Sequence, residues 1–83
     1  MTRLWEQGKP LQVLIENGMP ASIQWRKTWH PIQHIALFWQ IDVNWWQRRI
    51  YRDYYKVLTG DGLLLVIYHN LLDDSWVLQR VYD

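Results

Sequence analysis

Cationic and aromatic side chains alternate in the middle of the chain, and their types and spacing suit the binding of a partner. The set comprises Trp45, Trp46, Arg48, Arg49, Arg52, Tyr54 and Lys56. Proteins that bind single-stranded nucleic acids place cations along the phosphates and stack bases on aromatic rings, at roughly 1–3 kcal/mol per base. Protein interfaces draw most of their binding energy from the same residue types. The sequence therefore contains a candidate binding surface with two alternative kinds of partner.

Strand geometry would place three members of this set together. In a strand over residues 50–58, side chains alternate between the two faces, so that Arg52, Tyr54 and Lys56 lie on one face. Such a face suits a nucleic acid, but large aromatic residues more often fill a core. We therefore favour a protein partner, or self-association, over single-stranded nucleic acid.

The remaining polar residues do not form a recognisable catalytic or metal-binding motif. His30 and His34 have the four-residue spacing of a helical metal site, but Pro31 disfavours a helix there and the chain has no cysteine. The adjacent carboxylates of Asp73 and Asp74 have the sequence context of a turn, in which aspartate hydrogen-bonds its own backbone. We expect a non-enzymatic protein with no bound metal and no cofactor.

Composition limits the class of protein. The 83 residues suffice for one domain, and seven Trp and five Tyr supply bulk for a small core. The net charge of +1 excludes a strong overall attraction to nucleic acid, and the absence of cysteine excludes a disulfide framework. The N-terminus lacks the apolar stretch of a signal peptide, and no run approaches the roughly 20 apolar residues of a membrane span. We therefore expect a cytoplasmic bacterial protein without a membrane partner.

The N-terminal half contains a clear hairpin signal. Two alternating apolar runs flank Asn17-Gly18, a dipeptide in which both residues tolerate positive φ. The first run is Leu11, Val13 and Ile15, and the second is Ala21, Ile23 and Trp25. This pattern predicts a hairpin over residues 10–25, preceded by an N-terminal tail over residues 1–9.

A third strand is predicted over residues 32–41. Proline cannot donate to a ladder, so Pro31 should lie at an edge, in a bulge or in a loop. Asp42-Val43-Asn44 has turn-forming composition and should end this strand.

The next segment, residues 45–58, fits two structures. Asn44 and Gln47 mimic a capping box ahead of apolar residues at helical spacing, which permits a helix. The β-branched and aromatic residues of 50–59, followed by Gly60-Asp61-Gly62, favour a strand instead. We predict the strand.

The C-terminal third reads as two further strands. Residues 63–68 are apolar at nearly every position, which indicates a central strand covered on both faces. A loop over residues 71–75 separates it from a last strand over residues 76–82. The whole pattern predicts an all-β domain over residues 10–83, a small, strongly bent antiparallel sheet or open barrel of about six strands. A flatter sheet with partner chains on its edge is the alternative.

Several motifs together resemble those of a known family. They are Pro20-Ala21-Ser22-Ile23-Gln24-Trp25, Trp39, Trp45-Trp46, Tyr54-Tyr55-Lys56-Val57-Leu58-Thr59 and Trp76-Val77-Leu78-Gln79-Arg80-Val81-Tyr82-Asp83. With them, the chain resembles a short bacterial domain of unknown function. Members stand alone or occupy the C-terminal end of catalytically inactive relatives of Y-family DNA polymerases, and some are encoded beside translesion polymerases.

The resemblance implies an accessory role in translesion DNA synthesis or DNA repair, with a polymerase-like or repair protein as partner. It supplies no catalytic residues. Where members tend to have Trp-Xaa-Gly-Arg before the third strand, this chain has Trp25-Arg26-Lys27-Thr28, without glycine. Residues other than glycine must therefore adopt the backbone conformation of that turn.

Overall fold

Seven strands account for most of the chain in the computed structural model, which describes residues 3–82 and the side chains of residues 8–44 and 46–82. The strands are β1 (Arg3–Pro10), β2 (Gln12–Glu16), β3 (Met19–Trp25), β4 (Thr28–Trp45), β5 (Arg48–Thr59), β6 (Leu64–Asn70) and β7 (Ser75–Tyr82). They form one antiparallel sheet in the order β1-β7-β6-β5-β4-β3-β2. The predicted all-β fold is confirmed, with one strand more than the six expected.

The sheet curls into a half-barrel because its two end strands are consecutive in the chain. Leu11 alone separates β1 from β2, and its amide donates to the carbonyl of Trp76 in β7 at 3.1 Å. The prediction of a tail over residues 1–9 is thus wrong for residues 3–9, which lie in β1, the strand that pairs with β7. The sequence did not indicate this strand, because a bulge around Gly8 (φ 77°) interrupts the alternation of side chains that is typical of a strand.

Left-handed residues make the two tight turns on either side of β3. Asn17 (φ 53°) and Gly18 (φ 77°) join β2 to β3, as predicted. Arg26 (φ 51°) and Lys27 (φ 66°) adopt the same pair of conformations without glycine. Positive φ at both central residues matches the right-handed twist of the flanking strands.

The turn predicted at Asp42-Val43-Asn44 is wrong. These residues continue β4 in register with β5, and the chain reverses at Trp46 and Gln47 instead. Cross-strand pairing overrides the local turn preference, because Asp42 accepts two hydrogen bonds from Arg49 on the facing strand.

The other predicted strands are present, although β4 extends beyond the predicted residues 32–41 at both ends. Arg48–Thr59 is a strand and not a helix, and β6 is central, with buried residues on both faces. Pro31 lies in β4 at the last residue paired with β3, where its carbonyl accepts from the amide of Gly60. A proline is tolerated there because no ladder partner requires its missing N–H.

Two apolar clusters lie on opposite faces of the sheet. The inner cluster fills the concave side and comprises Ile23, Trp25, Tyr55, Val57, Leu65, Ile67, Leu78 and Val81. The outer cluster comprises Tyr54, Val66 and Tyr68, with Trp39, Ile41, Val77 and Tyr82 packed against it. A register shift in β7 places both Leu78 and Val81 inside, which the simple alternation predicted for this strand does not allow.

β4 is unusually long and mostly at an edge. It pairs with β3 only over Thr28–Pro31, and from Ile32 to Trp45 it pairs with β5 alone. Two register shifts, near Ile32 and Ile35, interrupt its pairing with β5 just beyond the residues that pair with β3. None of the described side chains of β4 is buried.

Candidate functional site

The predicted basic and aromatic face exists on the outside of the sheet. Arg52, Tyr54 and Lys56 share the outer face of β5, as strand alternation predicted. Tyr54 is only 5% exposed, because the indole of Trp39 stacks on its ring. Arg52 lies over the ring of Tyr68, 4.4 Å from its centroid, and donates to the Tyr54 hydroxyl at 3.1 Å. The cation therefore covers the aromatic cluster.

Two further cations extend this arrangement toward β7. Lys56 lies 5.0 Å and Arg80 5.5 Å from the ring centroid of Tyr82, and Arg80 donates to its hydroxyl at 3.3 Å. We call Arg52, Lys56 and Arg80 the outer cations. Among the side chains that the structure describes, none of the three makes an ion pair. Their charges are thus available to an anion. Hydrogen bonds from Ser75 lower the pKa of the Asp73 carboxyl, and the charge of Arg52 adds a small contribution in the same direction.

The tyrosines of this face are structural. Burial raises the pKa of the Tyr68 hydroxyl, and the nearby Arg52 only partly offsets this effect. Tyr54 is buried under Trp39, while Tyr68 and Tyr82 carry cations on their rings. A base could stack on these tyrosine rings only by displacing the side chains that cover them, each cation–π contact being worth about 0.5–1 kcal/mol where exposed.

The other predicted site residues lie elsewhere. Arg49 points to the opposite face, where its guanidinium donates to both carboxylate oxygens of Asp42 at 3.0 and 3.1 Å. This hydrogen-bonded pair lowers the pKa of Asp42 and raises that of Arg49. Trp46 and Arg48 are exposed at the tip of the β4–β5 hairpin. The side chain of Trp45 lies outside the described part of the structure.

The free edge of β4 is the most exposed part of the sheet, and the sequence did not predict it as a site. Leu37 is 54%, Phe38 51% and Val43 46% exposed along it, and Trp46 at the hairpin tip is 86% exposed. Leu37 and Val43 lie on the outer face, whereas Phe38 lies on the inner face against Tyr55. We call residues 32–45 the β4 edge. The sequence did contain an indication of this surface, because apolar residues occur at both odd and even positions of the strand and therefore lie on both of its faces.

The three histidines do not lie close together in the structure. Nδ1 of His30 lies 2.7 Å from Asp61, and Nε2 of His69 lies 2.5 Å from Asp74, in separate parts of the fold. His34 is exposed on β4. The described residues include no group of three or more side chains able to hold a metal ion.

Comparisons with other proteins add no relative. Comparison of the chain with protein-family models, with curated proteins and with solved structures finds no match. The resemblance to the polymerase-associated bacterial domain therefore stays a prediction. Residues 3–82 contain no helix capable of spanning a bilayer.

Proposed function

We propose that this domain is a non-enzymatic interaction module that docks a partner protein along the β4 edge. The observation that supports this proposal best is that β4 pairs only with β5 from Ile32 to Trp45, so that its other edge has no strand partner and lies beside exposed apolar side chains. Such an edge presents a row of backbone donors and acceptors in a ready-made template for another strand.

Natural proteins protect long edges with charges, prolines or covering segments, because an open apolar edge invites aggregation. The β4 edge has two register shifts at its start and a single carboxylate, Asp42, which is paired with Arg49. Beyond the shifts it leaves Leu37, Phe38 and Val43 exposed. Apolar residues at an accessible edge are typical of a surface that a partner covers. Strand addition supplies the main-chain hydrogen bonds, and the apolar residues supply side-chain contacts on both faces.

The resemblance noted above supplies the context of the proposal. It points to a polymerase-like or repair protein as the partner, in a bacterial cytoplasm, with an accessory role in translesion synthesis or DNA repair. Self-association along the same edge is the other form of the proposal, since two antiparallel edges of identical chains can pair around a twofold axis.

The test uses Leu37→Glu combined with Val43→Glu. Leu37 pairs with Lys56 across the strands, so that the new carboxylate there gains an opposite charge and the fold should tolerate it. The control is Leu72→Glu, because Leu72 is as exposed as Leu37 but lies in the loop between β6 and β7. Self-association is measured by sedimentation velocity, and partner capture by quantitative affinity purification from the native host.

We expect the wild type and the Leu72 variant to self-associate, or to capture the same partner, to the same extent. In the double variant, the association constant or the amount of captured partner should fall at least tenfold. Equal behaviour of all three proteins would exclude the β4 edge. A wild type that neither self-associates nor captures a specific partner would dismiss the interaction module altogether.

A second candidate function is the binding of single-stranded nucleic acid by the outer cations. It is favoured by one observation, that Arg52, Lys56 and Arg80 lie on one face without carboxylate partners among the described side chains. Three phosphate contacts predict a roughly 20-fold loss of affinity between 50 and 200 mM salt. The covered tyrosine rings leave little for base stacking, and for this reason we place it second.

Fluorescence anisotropy with labelled single-stranded DNA tests this candidate. Lys56→Glu with Arg80→Glu should abolish binding. The control, Arg26→Glu with Lys27→Glu, changes the net charge equally at the turn between β3 and β4. Binding that both variants lose to the same degree would indicate attraction to net charge and not to this face.

A further inference from the structure

A cleft opens on the inner face of the sheet, beside the core and on the opposite side from the outer cations. Its volume is about 650 Å³, and Asp53, Tyr55, His69, Asp74 and Trp76 line it together with the turn between β2 and β3. Strands β5, β6 and β7 supply its floor, since Asp53 pairs with His69 and His69 with Trp76 across the sheet. Side chains on paired strands are positioned more precisely than side chains on loops.

Aromatic rings form the walls. The imidazole of His69 stacks on the indole of Trp76, with centroids 4.4 Å apart and planes within 2°. The ring of Tyr55 lies 5.7 Å from that of Trp76, and Phe38 packs on Tyr55 at 5.1 Å. These rings continue to the exposed side of β4. Tyr55 is only 5% exposed, so the rings that a flat group can reach in the cleft are those of the half-buried His69 and Trp76.

Two carboxylates supply the charge. Oδ1 of Asp53 accepts from Nε2 of Gln40 at 2.7 Å, and Oδ1 of Asp74 lies 2.5 Å from Nε2 of His69. In each case the structure shows no described side chain bonded to the second oxygen. Burial, and secondarily the charge of Asp53, raise the pKa of the Tyr55 hydroxyl, which keeps that ring neutral. No lysine or arginine is among the residues that line the cleft.

We infer that this cleft binds a guanidinium group, such as the side chain of an arginine in a protein partner. Guanidinium is planar and weakly hydrated, so it stacks on aromatic rings, and its fixed fork of donors matches a carboxylate. An ammonium ion would satisfy the charge but not the stacking. This inference does not depend on docking along the β4 edge, because the probe used to test it has no strand to add.

The probe is N-acetyl-arginine amide, and its neutral isostere N-acetyl-citrulline amide is the matched control. Binding is followed at pH 8 by ¹H–¹⁵N spectra, with the Trp76 indole signal assigned from Trp76→Phe. We expect a dissociation constant on the order of 1 mM for this small ligand. Citrulline should bind about tenfold more weakly, because it keeps the shape and loses the charge.

Amino-acid substitutions distinguish binding in the cleft from a non-specific attraction to acidic side chains. Asp53→Asn with Asp74→Asn should reduce arginine binding to the level of citrulline. Asp73→Asn is the control, since this neighbouring carboxylate bonds to Ser75 and does not line the cleft. If the double variant fails to fold, Asp53→Asn alone serves, because the asparagine carbonyl still accepts from Gln40.

Saturable shifts of the Trp76 indole and the Tyr55 amide that need Asp53 and Asp74 but not Asp73 would support the inference. Equal affinity for citrulline, shifts located elsewhere, undiminished binding by the double variant, or no saturable shift up to about 10 mM would each overturn it.

Discussion

The indole of Trp39 lies flat on the phenol ring of Tyr54, with centroids 5.1 Å apart and planes inclined by 8°. This stack covers a ring that the sequence placed in a ligand-binding face. A stacked aromatic pair contributes about 0.5–1.5 kcal/mol beyond the area that it buries. The outer face of β5 is therefore a second, smaller core covered by cations, and its tyrosines serve stability first.

Removal of the stack should weaken the fold. We expect Trp39→Ala to lower the free energy of unfolding by about 2 kcal/mol, since Trp39 is half-buried and loses both area and stacking. Trp29→Ala is the control, a tryptophan in the same strand that is 43% exposed and makes no ring contact with the described side chains. Urea denaturation compares the two, and equal losses would show that the stack contributes nothing specific.

Gly8 should not tolerate a side chain. Its φ of 77° is left-handed, and a Cβ would lie 2.2 Å from Cγ1 of Val77, a distance at which one of the two must move. We expect Gly8→Ala to cost about 2–4 kcal/mol, from backbone strain plus overpacking. Gly18→Ala shares the φ of 77° but meets no atom within 4 Å, so it should cost only about 1 kcal/mol. Thermal or urea unfolding measures both, and similar costs would contradict the packing of β1 on β7.

The turn between β3 and β4 can be improved. Lys27 adopts a φ of 66°, which glycine accepts without strain. We expect Lys27→Gly to raise the free energy of unfolding by about 0.5 kcal/mol, the relief of strain being partly offset by the freedom of glycine in the unfolded chain. Arg26 is left unchanged because it lies over the ring of Trp25. Gln47→Gly, at the second position of the turn where Trp46 carries the positive φ, should instead destabilise.

Asp61 should make stability depend on pH. The hydroxyl of buried Thr59 donates to its Oδ1 at 2.5 Å and lowers the pKa of the carboxyl, with a smaller contribution from His30. A carboxyl whose pKa is lowered by folding stabilises the protein above its ordinary pKa of 3.8 and loses this contribution as the pH falls through the lower, folded value. Asp61→Asn should therefore be less stable than the wild type at pH 6, with a smaller difference at pH 3. Urea midpoints at both pH values test this, and an unchanged difference would refute it.

Local patterns in the sequence were sufficient for most of the strands. The alternation from Leu11 to Trp25, with Asn17-Gly18 between, specified the first hairpin because side-chain period and turn chemistry agree there. The apolar run over residues 63–68 indicated a central strand, since only a strand with neighbours on both sides buries both faces. The same alternation correctly placed Arg52, Tyr54 and Lys56 on one face.

Pairing between strands that are distant in the chain explains the predictions that were wrong and the features that the sequence did not indicate. Arg3–Pro10 form a strand only because β7 offers an edge, and Asp42-Val43-Asn44 remain extended because β5 continues opposite them. The cleft of Asp53, His69 and Trp76 assembles from three strands, and no spacing along the chain indicates it.

The amino-acid sequence by itself determined that the fold is all-β, where the first hairpin lies, and which side chains share a face in strand stretches without a bulge, because these follow from backbone geometry within a few residues. Tertiary structure alone decided which faces are covered, which edge stays open and which charged groups meet, because these depend on the register and curl of strands that are distant in the chain.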